Sequence, residues 1–263
     1  MAIIKNEIDQ GKAFDFGRVS DDYARFRDIY PDVFYQKIVD RGLCIKGQDV
    51  LDIGSGTGVL PRNLYRYGAN WTAADISKEQ IKTAKRLSED QHIRYLVSSA
   101  EDLDFPDHSF DVITACQCYF YFDTKKLAPV LHHLLKPSGK LVILYMAWLP
   151  YEDEVAKRSE AIALKYSPHW SGAGETEHPI TVDEYTSQYF DVIDEEVYRL
   201  KVPFTRDSWH GRMKTCRGIG ASLSKEEFDR WDKEHAQMLK ECFPEQFDVL
   251  HYAALAVLEK KSR

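Results

Sequence analysis

The stretch VLDIGSGTGVL, Val50 to Leu60, constrains this chain more than any other. A short apolar run ends in Asp52, and Gly54, Gly56 and Gly58 follow at alternate positions. Glycine loses more conformational entropy on folding than any other residue, so three of them in one short segment need a reason. A strand-to-helix turn at the carboxyl edge of a parallel sheet supplies one. There the backbone turns tightly and a ligand approaches the main chain. The spacing G-x-G-x-G is not the dinucleotide fingerprint G-x-G-x-x-G, whose last position here is Val59, and no Gly-Lys-Ser/Thr phosphate loop follows. The turn therefore suits a ligand with a nucleoside but no pyrophosphate. Asp75, about twenty residues further on, is placed to accept both ribose hydroxyls. Taken alone, it reads equally well as a charge at a helix N-terminus.

Strand and helix signals alternate from Val50 to Met146. DVLDI, NWTAAD (Asn70–Asp75), HIRYLV (His92–Val97), FDVITA (Phe110–Ala115) and KLVILYM (Lys140–Met146) read as five strands, with KPSG as a turn before the fifth. Between them, Ile81, Ala84 and Leu87 share a helix face behind a Ser77–Gln80 capping box. Leu127, Val130, Leu131 and Leu134 share another. Such alternation predicts a doubly wound parallel sheet of the α/β class. Beyond Pro150 the rhythm breaks. A helix, a loop over Ser167–Pro179, a capping box at Thr181–Glu184, a strand at Glu195–Phe204 and two helices follow, the second opened by SKEE (Ser224–Glu227). A terminal strand, Phe247–Lys260, is expected beside the fifth.

The 263 residues suit one large domain or one domain with a cap. The net charge of −7 argues against a phosphate-tracking surface and hence against nucleic acid as a partner. The five cysteines are odd in number and scattered, and read as reduced thiols in a cytoplasmic protein. Cys116 and Cys118 lack a second pair at zinc spacing, so no metal is expected. No segment reaches membrane-spanning length. Fifteen tyrosines and five tryptophans fit either a ring-lined cavity or an ordinary aromatic core.

The chain resembles the class I S-adenosylmethionine-dependent methyltransferases. VLDIGSGTGVL, AADIS, SSAEDLDFPDHSFDVITA and LLKPSGKLVI carry the likeness, over about Tyr23 to Met146. The resemblance implies a seven-stranded Rossmann-like sheet with a helical cap and S-adenosyl-L-methionine as cofactor. Residues 1–40 become an N-terminal helical arm or lid, 41–149 the cofactor-binding core, 150–246 cap insertions with one core strand, and 247–263 the terminal strand. It further implies that Asp52 and the backbone of Gly54, Ser55, Gly56 and Gly58 hold the methionine end. Asp75 would hold the ribose, Ile76 would pack on adenine, and Ala100 and Glu101 would meet the adenine edge. Ser99 stands where the family often has an aspartate. YARFRDIYP (Tyr23–Pro31) and DVITACQCYFYFD (Asp111–Asp123) resemble the trans-aconitate-methyltransferase-like branch. Tyr23, Arg27 and Gln117 join the cofactor-binding candidates on that likeness, and Phe120 and Tyr121 depart from the branch's His and Trp.

Methyl transfer from a sulfonium requires mostly in-line placement in a dry site. The acceptor is expected to be a small molecule. FTRDSWHGRMKTCRGIGAS (Phe204–Ser222) concentrates basic residues in an acidic chain, which points to an acidic acceptor gripped by Arg212 or Arg217. Tyr119, Phe120, Tyr121 and Trp209 would wall it. His210 is the candidate catalytic histidine, although a preformed carboxylate nucleophile needs no base. ACQCYF lacks the Asn/Asp-Pro-Pro-aromatic motif of amino-directed nucleic-acid methyltransferases, and Val59 opposes a nicotinamide oxidoreductase. A protein that binds the cofactor without turnover is the non-enzyme alternative. The acceptor atom and the oligomeric state are not legible in the sequence.

Overall fold

The computed structural model describes residue 4 and residues 8–262. Its strands are β1 (Asp49–Ile53), β2 (Asn70–Asp75), β3 (Ile93–Val97), β4 (Phe110–Cys116), β5 (Leu135–Trp148), β6 (Phe190–Thr205) and β7 (Gln246–Lys260). Its α-helices are α1 (Ser20–Phe26), α2 (Asp32–Val39), α3 (Val59–Leu64), α4 (Lys78–Leu87), α5 (Thr124–Leu134), α6 (Glu154–Tyr166), α7 (Glu184–Ser187), α8 (Arg206–Lys214) and α9 (Lys225–Cys242). The chain divides into a sheet unit (Tyr30–Met146, His178–Tyr198, Ala253–Arg263) and a helical unit (Met1–Ile29, Ala147–Glu177, Arg199–Tyr252).

Among the described residues, seven strands form one mixed sheet in the order β3-β2-β1-β4-β5-β7-β6. The pairs β1–β2, β2–β3, β1–β4 and β4–β5 are parallel. β1 is central and buried from Val50 to Ile53, as a continuous apolar run in a doubly covered parallel sheet should be. The chain winds outward from β1 through β2 to β3, then returns to lay β4 on β1's other side. That reversal makes β1 and β4 the topological switch point, where open α/β sheets bind ligands. Leu51, Ile113, Leu127, Leu131, Leu141 and Leu258 are fully buried on one side of the sheet unit, and Ala73, Ile81, Ala84 and Tyr95 form a second cluster. The face expected for α5 supplies the first cluster, and Ile81 and Ala84 of the α4 face the second, whereas Leu87, expected on the same face, is exposed. The terminal strand lies beside β5, as the sequence suggests.

Three local expectations change. The KPSG turn lies inside the range of β5: Phe110 pairs with Leu135 and Val112 with Lys140, so Lys136–Gly139 bulge opposite the single residue Asp111. Lys136 closes the bulge by donating to Asp111 at 2.7 Å and Asp49 at 3.1 Å. β6 starts at Phe190, five residues before the expected Glu195. The N-cap of α7 is Asp183, not Thr181, because its carboxylate accepts from the amides of both Tyr185 and Thr186. The Ser224–Glu227 capping box forms as read.

In the helical unit, polar links fasten the segment before α1. The Arg217 guanidinium grips Asp9 through Nε at 2.6 Å and Nη2 at 3.1 Å, and Ser171 donates from both its amide and its hydroxyl to the same carboxylate. Burial pushes the Asp9 carboxyl up, but Arg217 and Ser171 together hold it below its ordinary value. Arg18 donates to the carbonyls of Ala221 and Leu223, and Arg27 to the side chain and carbonyl of Thr215. The Phe26 ring lies on Gly211, where an added Cβ would sit 2.4 Å from it.

The Asp9–Arg217 pair is nearly inaccessible on both sides, at 5% and 8% exposure. Replacing Arg217 by Ala leaves a buried carboxylate without its cation, and should lower unfolding stability by roughly 3–5 kcal/mol. The double replacement of Asp9 and Arg217 by Ala should recover much of that loss. Urea unfolding of the three variants checks it, and additive effects of the two single changes would show that the pair is not coupled.

Candidate functional site

The loop after β1 sits at the switch point. Gly54, Gly56 and Gly58 all have positive φ, at 62°, 54° and 74°. Two are also held by close neighbours: a Cβ on Gly54 would lie 2.8 Å from Cys118 Sγ, and one on Gly58 would lie 2.6 Å from the Tyr95 hydroxyl. Neither position admits a side chain without displacing a neighbour. The loop is braced by Ser55 N–H donating to the Ala74 carbonyl at 3.0 Å and Gly58 N–H to the Ser55 carbonyl at 2.8 Å. Gly56 N–H donates to Asp75 at 2.8 Å, and the other Asp75 oxygen accepts from Ser77 N–H at 2.8 Å. Within the same loop, the hydroxyls of Ser55 and Thr57 are buried with no hydrogen-bond partner.

Two carboxyls dominate the electrostatics. Asp52 is 2% exposed and accepts from the Thr114 hydroxyl at 2.7 Å. Burial and the nearby charge of Asp75 outweigh that bond, and push Asp52 up to about 7. Burial also raises Asp75, against its two amide bonds. Ile76, directly after it, keeps an apolar side chain 41% exposed. Ala100 is buried, and Glu101 accepts from the Ser99 hydroxyl and from Asp123 N–H, the latter at 2.9 Å. Thus Asp52, the glycine loop, Asp75, Ile76, Ala100 and Glu101 all stand in the sheet unit at or just beyond the ends of β1, β2 and β3.

β4 ends in a strained turn. Gln117 has φ of 64°, unusual for a residue with a side chain, and its amide nitrogen donates to the Met146 carbonyl at 2.5 Å. Cys118 Sγ contacts the Ile53 carbonyl at 3.1 Å. Burial raises both thiols of this C-x-C pair, which keeps them protonated. Tyr119 points into the core and bonds Thr186 at 2.8 Å, so it does not wall a substrate as expected. Phe120 and Tyr121 lie 4.3 Å apart between ring centroids with a 48° tilt, and Phe120 is half exposed. Sequence reasoning missed Thr114, Tyr95 and the contact of Cys118 with the loop. The inward-facing polar residue in the apolar run of β4 was the available signal for Thr114.

The remaining candidates lie in the helical unit. Both ring nitrogens of His210 are engaged: Nε2 with Asp232 at 2.9 Å and Nδ1 with His235 Nδ1 at 2.6 Å. Its ring stacks on Trp231 at 5.3 Å and 4°. Burial lowers His210, and takes His235 down to about 3. With both rings neutral, His210 donates to Asp232 and accepts from the Nδ1–H of His235, whose Nε2 faces the Ser159 hydroxyl at 3.0 Å. That is a structural role, not the catalytic one expected. Trp209 is fully buried and donates to Ser159 at 2.9 Å, so it forms core and not a substrate wall. Arg217 is spent on Asp9, which removes its fork from any substrate carboxylate. Arg212 is buried, with its guanidinium 4.9 Å over the Trp148 ring. Arg27 stacks on Tyr23 at 4.8 Å.

Among the described residues, no cluster of three or more His, Cys, Asp or Glu is arranged to hold a metal ion, and no helix is long and apolar enough to cross a membrane.

Residues 51–143 match the family model described as a methyltransferase domain. A candidate methyltransferase of Dictyostelium discoideum is 26% identical over 189 residues, which is 72% of this chain and 66% of its own. The ubiquinone biosynthesis O-methyltransferase of Coxiella burnetii is 33% identical over 108 residues, 40% of this chain and 46% of its own. The ubiquinone/menaquinone biosynthesis C-methyltransferase of Rickettsia bellii is 31% identical over 148 residues, 49% of this chain and 58% of its own. The matched stretches thus span about half to two thirds of these relatives. Among solved structures, YjhP of E. coli superposes with a TM-score of 0.54 at 15% identity, covering 94% of this chain and 99% of that one. At that identity the likeness concerns the fold alone.

The pKa of Asp52 gives a test on stability. A buried carboxyl raised from 3.8 to about 7 favours the folded state most below its unfolded pKa, and that contribution is lost as pH rises through 7. Asn at position 52 keeps an oxygen for the Thr114 hydroxyl but carries no charge. Asp52→Asn should therefore be more stable than the natural protein by roughly 3–5 kcal/mol at pH 8, with the difference shrinking towards zero near pH 4. Urea unfolding across that range decides it. A pH-independent difference would mean that Asp52 is not raised.

Proposed function

Because the chain belongs to the class I S-adenosylmethionine-dependent methyltransferases, we propose that it is an enzyme that transfers a methyl group from that cofactor to a small-molecule acceptor. The observation that carries the reading is the tie between the glycine loop and Asp75 through the Gly56 amide, with two buried hydroxyls in the loop still lacking partners. The donor set fits the cofactor. Asp75 has lone pairs left for a ribose diol, Ile76 offers an apolar surface to a base, and the Gly54–Gly58 loop keeps its backbone free of side chains at three positions. Asp52 lies beneath the loop as a carboxyl that titrates near neutrality, suited to the positive charge of the methionine end.

S-adenosylmethionine supplies an electrophilic methyl on a sulfonium. The protein's part is to hold and orient it and to exclude water. Asp75 fixes the ribose, and Asp52 with the loop backbone holds the methionine end. Asp52 becomes fully ionised when a cation is placed near it, so binding releases its proton. Cys116 and Cys118 stay neutral beside the turn after β4, which keeps them from acting as competing nucleophiles. The arm motif around Tyr23 and Arg27 continues to favour the trans-aconitate-like branch. The acidic acceptor expected with that branch loses Arg217, which is held by Asp9.

Asp75→Ala and Asp75→Asn should each weaken S-adenosylhomocysteine by roughly 1–3 kcal/mol in calorimetry. Unchanged affinity in both would mean that the ribose is held elsewhere. For S-adenosylmethionine, affinity in the natural protein should rise with pH through about 7 and stay flat in Asp52→Asn.

A further inference from the structure

We propose that Tyr95 is a positioning residue for the cofactor: its hydroxyl, tied to Ser88, is the stop against which Gly58 sets the glycine loop. The proposal rests on the methyl-transfer reading above and adds to it a residue that stands two strands away from β1.

The register of the sheet explains how β3 reaches that far. Asp52 of β1 pairs with Ala73 of β2, and Ala73 pairs with Tyr95 of β3. Partners in register on parallel strands share a face, so the three side chains form one row across the sheet. The middle member is the smallest, and the Tyr95 ring has room to lie towards the loop. A Cβ on Gly58 would stand 2.6 Å from the Tyr95 hydroxyl and 3.2 Å from a ring carbon. Tyr95 is buried where its neighbours on β3, Arg94 and Leu96, are not, and Ile81 and Ala84 of α4 pack in the same cluster.

The hydroxyl is fixed as well as near. Ser88, at the C-cap of α4, gives its single proton to the Ala84 carbonyl at 2.8 Å, so the Tyr95 hydroxyl, 3.1 Å away, donates to Ser88 Oγ. Burial raises the phenol above its ordinary value, which keeps that proton in place. The amides of Ser55, Gly56 and Gly58 tie the loop to the end of β2 and to itself. Tyr95 meets it from β3, with a hydroxyl anchored to a helix end. Gly58 is the N-cap of α3 and takes a left-handed φ of 74°, so its position sets both the end of the loop and the start of the helix. A loop that holds a ligand through its backbone is sensitive to small displacements, and Tyr95 acts on the cofactor through Gly58.

Calorimetry with S-adenosylhomocysteine tests this on the full chain in four forms: the natural protein, Tyr95→Phe, Gly58→Ala and the double variant. Tyr95→Phe removes the stop and strands no partner, because Ser88 keeps its bond to Ala84. It should weaken binding about three- to tenfold, while urea unfolding shows the variant folded. Gly58→Ala should weaken binding about thirtyfold or more. Part of that loss is left-handed strain, which is the same in both backgrounds and cancels between them. The rest is the clash with the hydroxyl, so the double variant should bind about threefold more tightly than Gly58→Ala alone. If Gly58→Ala binds too weakly to measure, measurable binding in the double variant supports the stop and its absence overturns it. Wild-type affinity in Tyr95→Phe makes Tyr95 a core residue only and overturns the proposal, whatever happens to stability. So do effects of the two changes that simply multiply. Binding by the natural protein alongside either result leaves the methyltransferase reading standing. Failure of the natural protein to bind S-adenosylhomocysteine removes that reading and the proposal with it.

Discussion

The hydrogen bond from the Gly56 amide to the Asp75 carboxylate is the constraint around which the sheet unit's ligand end is organised. It ties the loop after β1 to the end of β2, across a parallel strand pair that sets both in register. Glycine lets the loop take its left-handed conformations, and the carboxylate receives the Gly56 amide. The same carboxylate accepts from Ser77, at the N-cap of α4, so one side chain coordinates a loop, a strand end and a helix start. Burial makes that charge expensive, and a cation at the site would offset the cost. The proposed cofactor carries such a charge on its sulfonium.

The sheet was legible because its signals are local. DVLDI, the alternating glycines and Asp75 are separated by distances that one βαβ unit spans, and each carries its own backbone or burial requirement. What the helical unit does with its polar residues was not legible. His210 looks like a pocket histidine in SWHGRMKTCRG, but its partners Asp232 and His235 come from α9, and nothing in the local sequence marks them. Arg217 looks available for a carboxylate until Asp9, more than two hundred residues earlier, takes it. Tyr119, in the turn after the fourth strand, and Trp209, in the basic segment, look like wall residues. Their hydroxyl and indole N–H found buried partners, Thr186 and Ser159, that periodicity does not reveal. A side chain's chemistry can be read from sequence more readily than whether that chemistry is already satisfied.

Around Ser159 the helical unit shows how a core can hold polar atoms without charge. Trp209 and His235 both reach its hydroxyl, His235 meets His210, and His210 reaches Asp232 near the surface. The stacked faces of Trp231, His210 and His235 carry the apolar part of the packing. Ser159, Trp209, His235 and His210 each have a polar neighbour and burial lowers both imidazoles, while Trp231 Nε1 is buried with no hydrogen-bond partner.

The clasp of Arg217 on Asp9 also bears on how the protein emerges from a ribosome. Its two halves are 208 residues apart in sequence. At common synthesis rates, Asp9 waits about 10–40 s before its cation has even been made. Over that interval the segment carrying Phe14 and Phe26, rings buried in the finished protein, has no native seat, whereas β1 to β4 are complete far sooner. The nascent chain therefore passes through a period in which β1 to β4 have been made while the aromatic segment around Phe14 and Phe26 still lacks the residues that bury it.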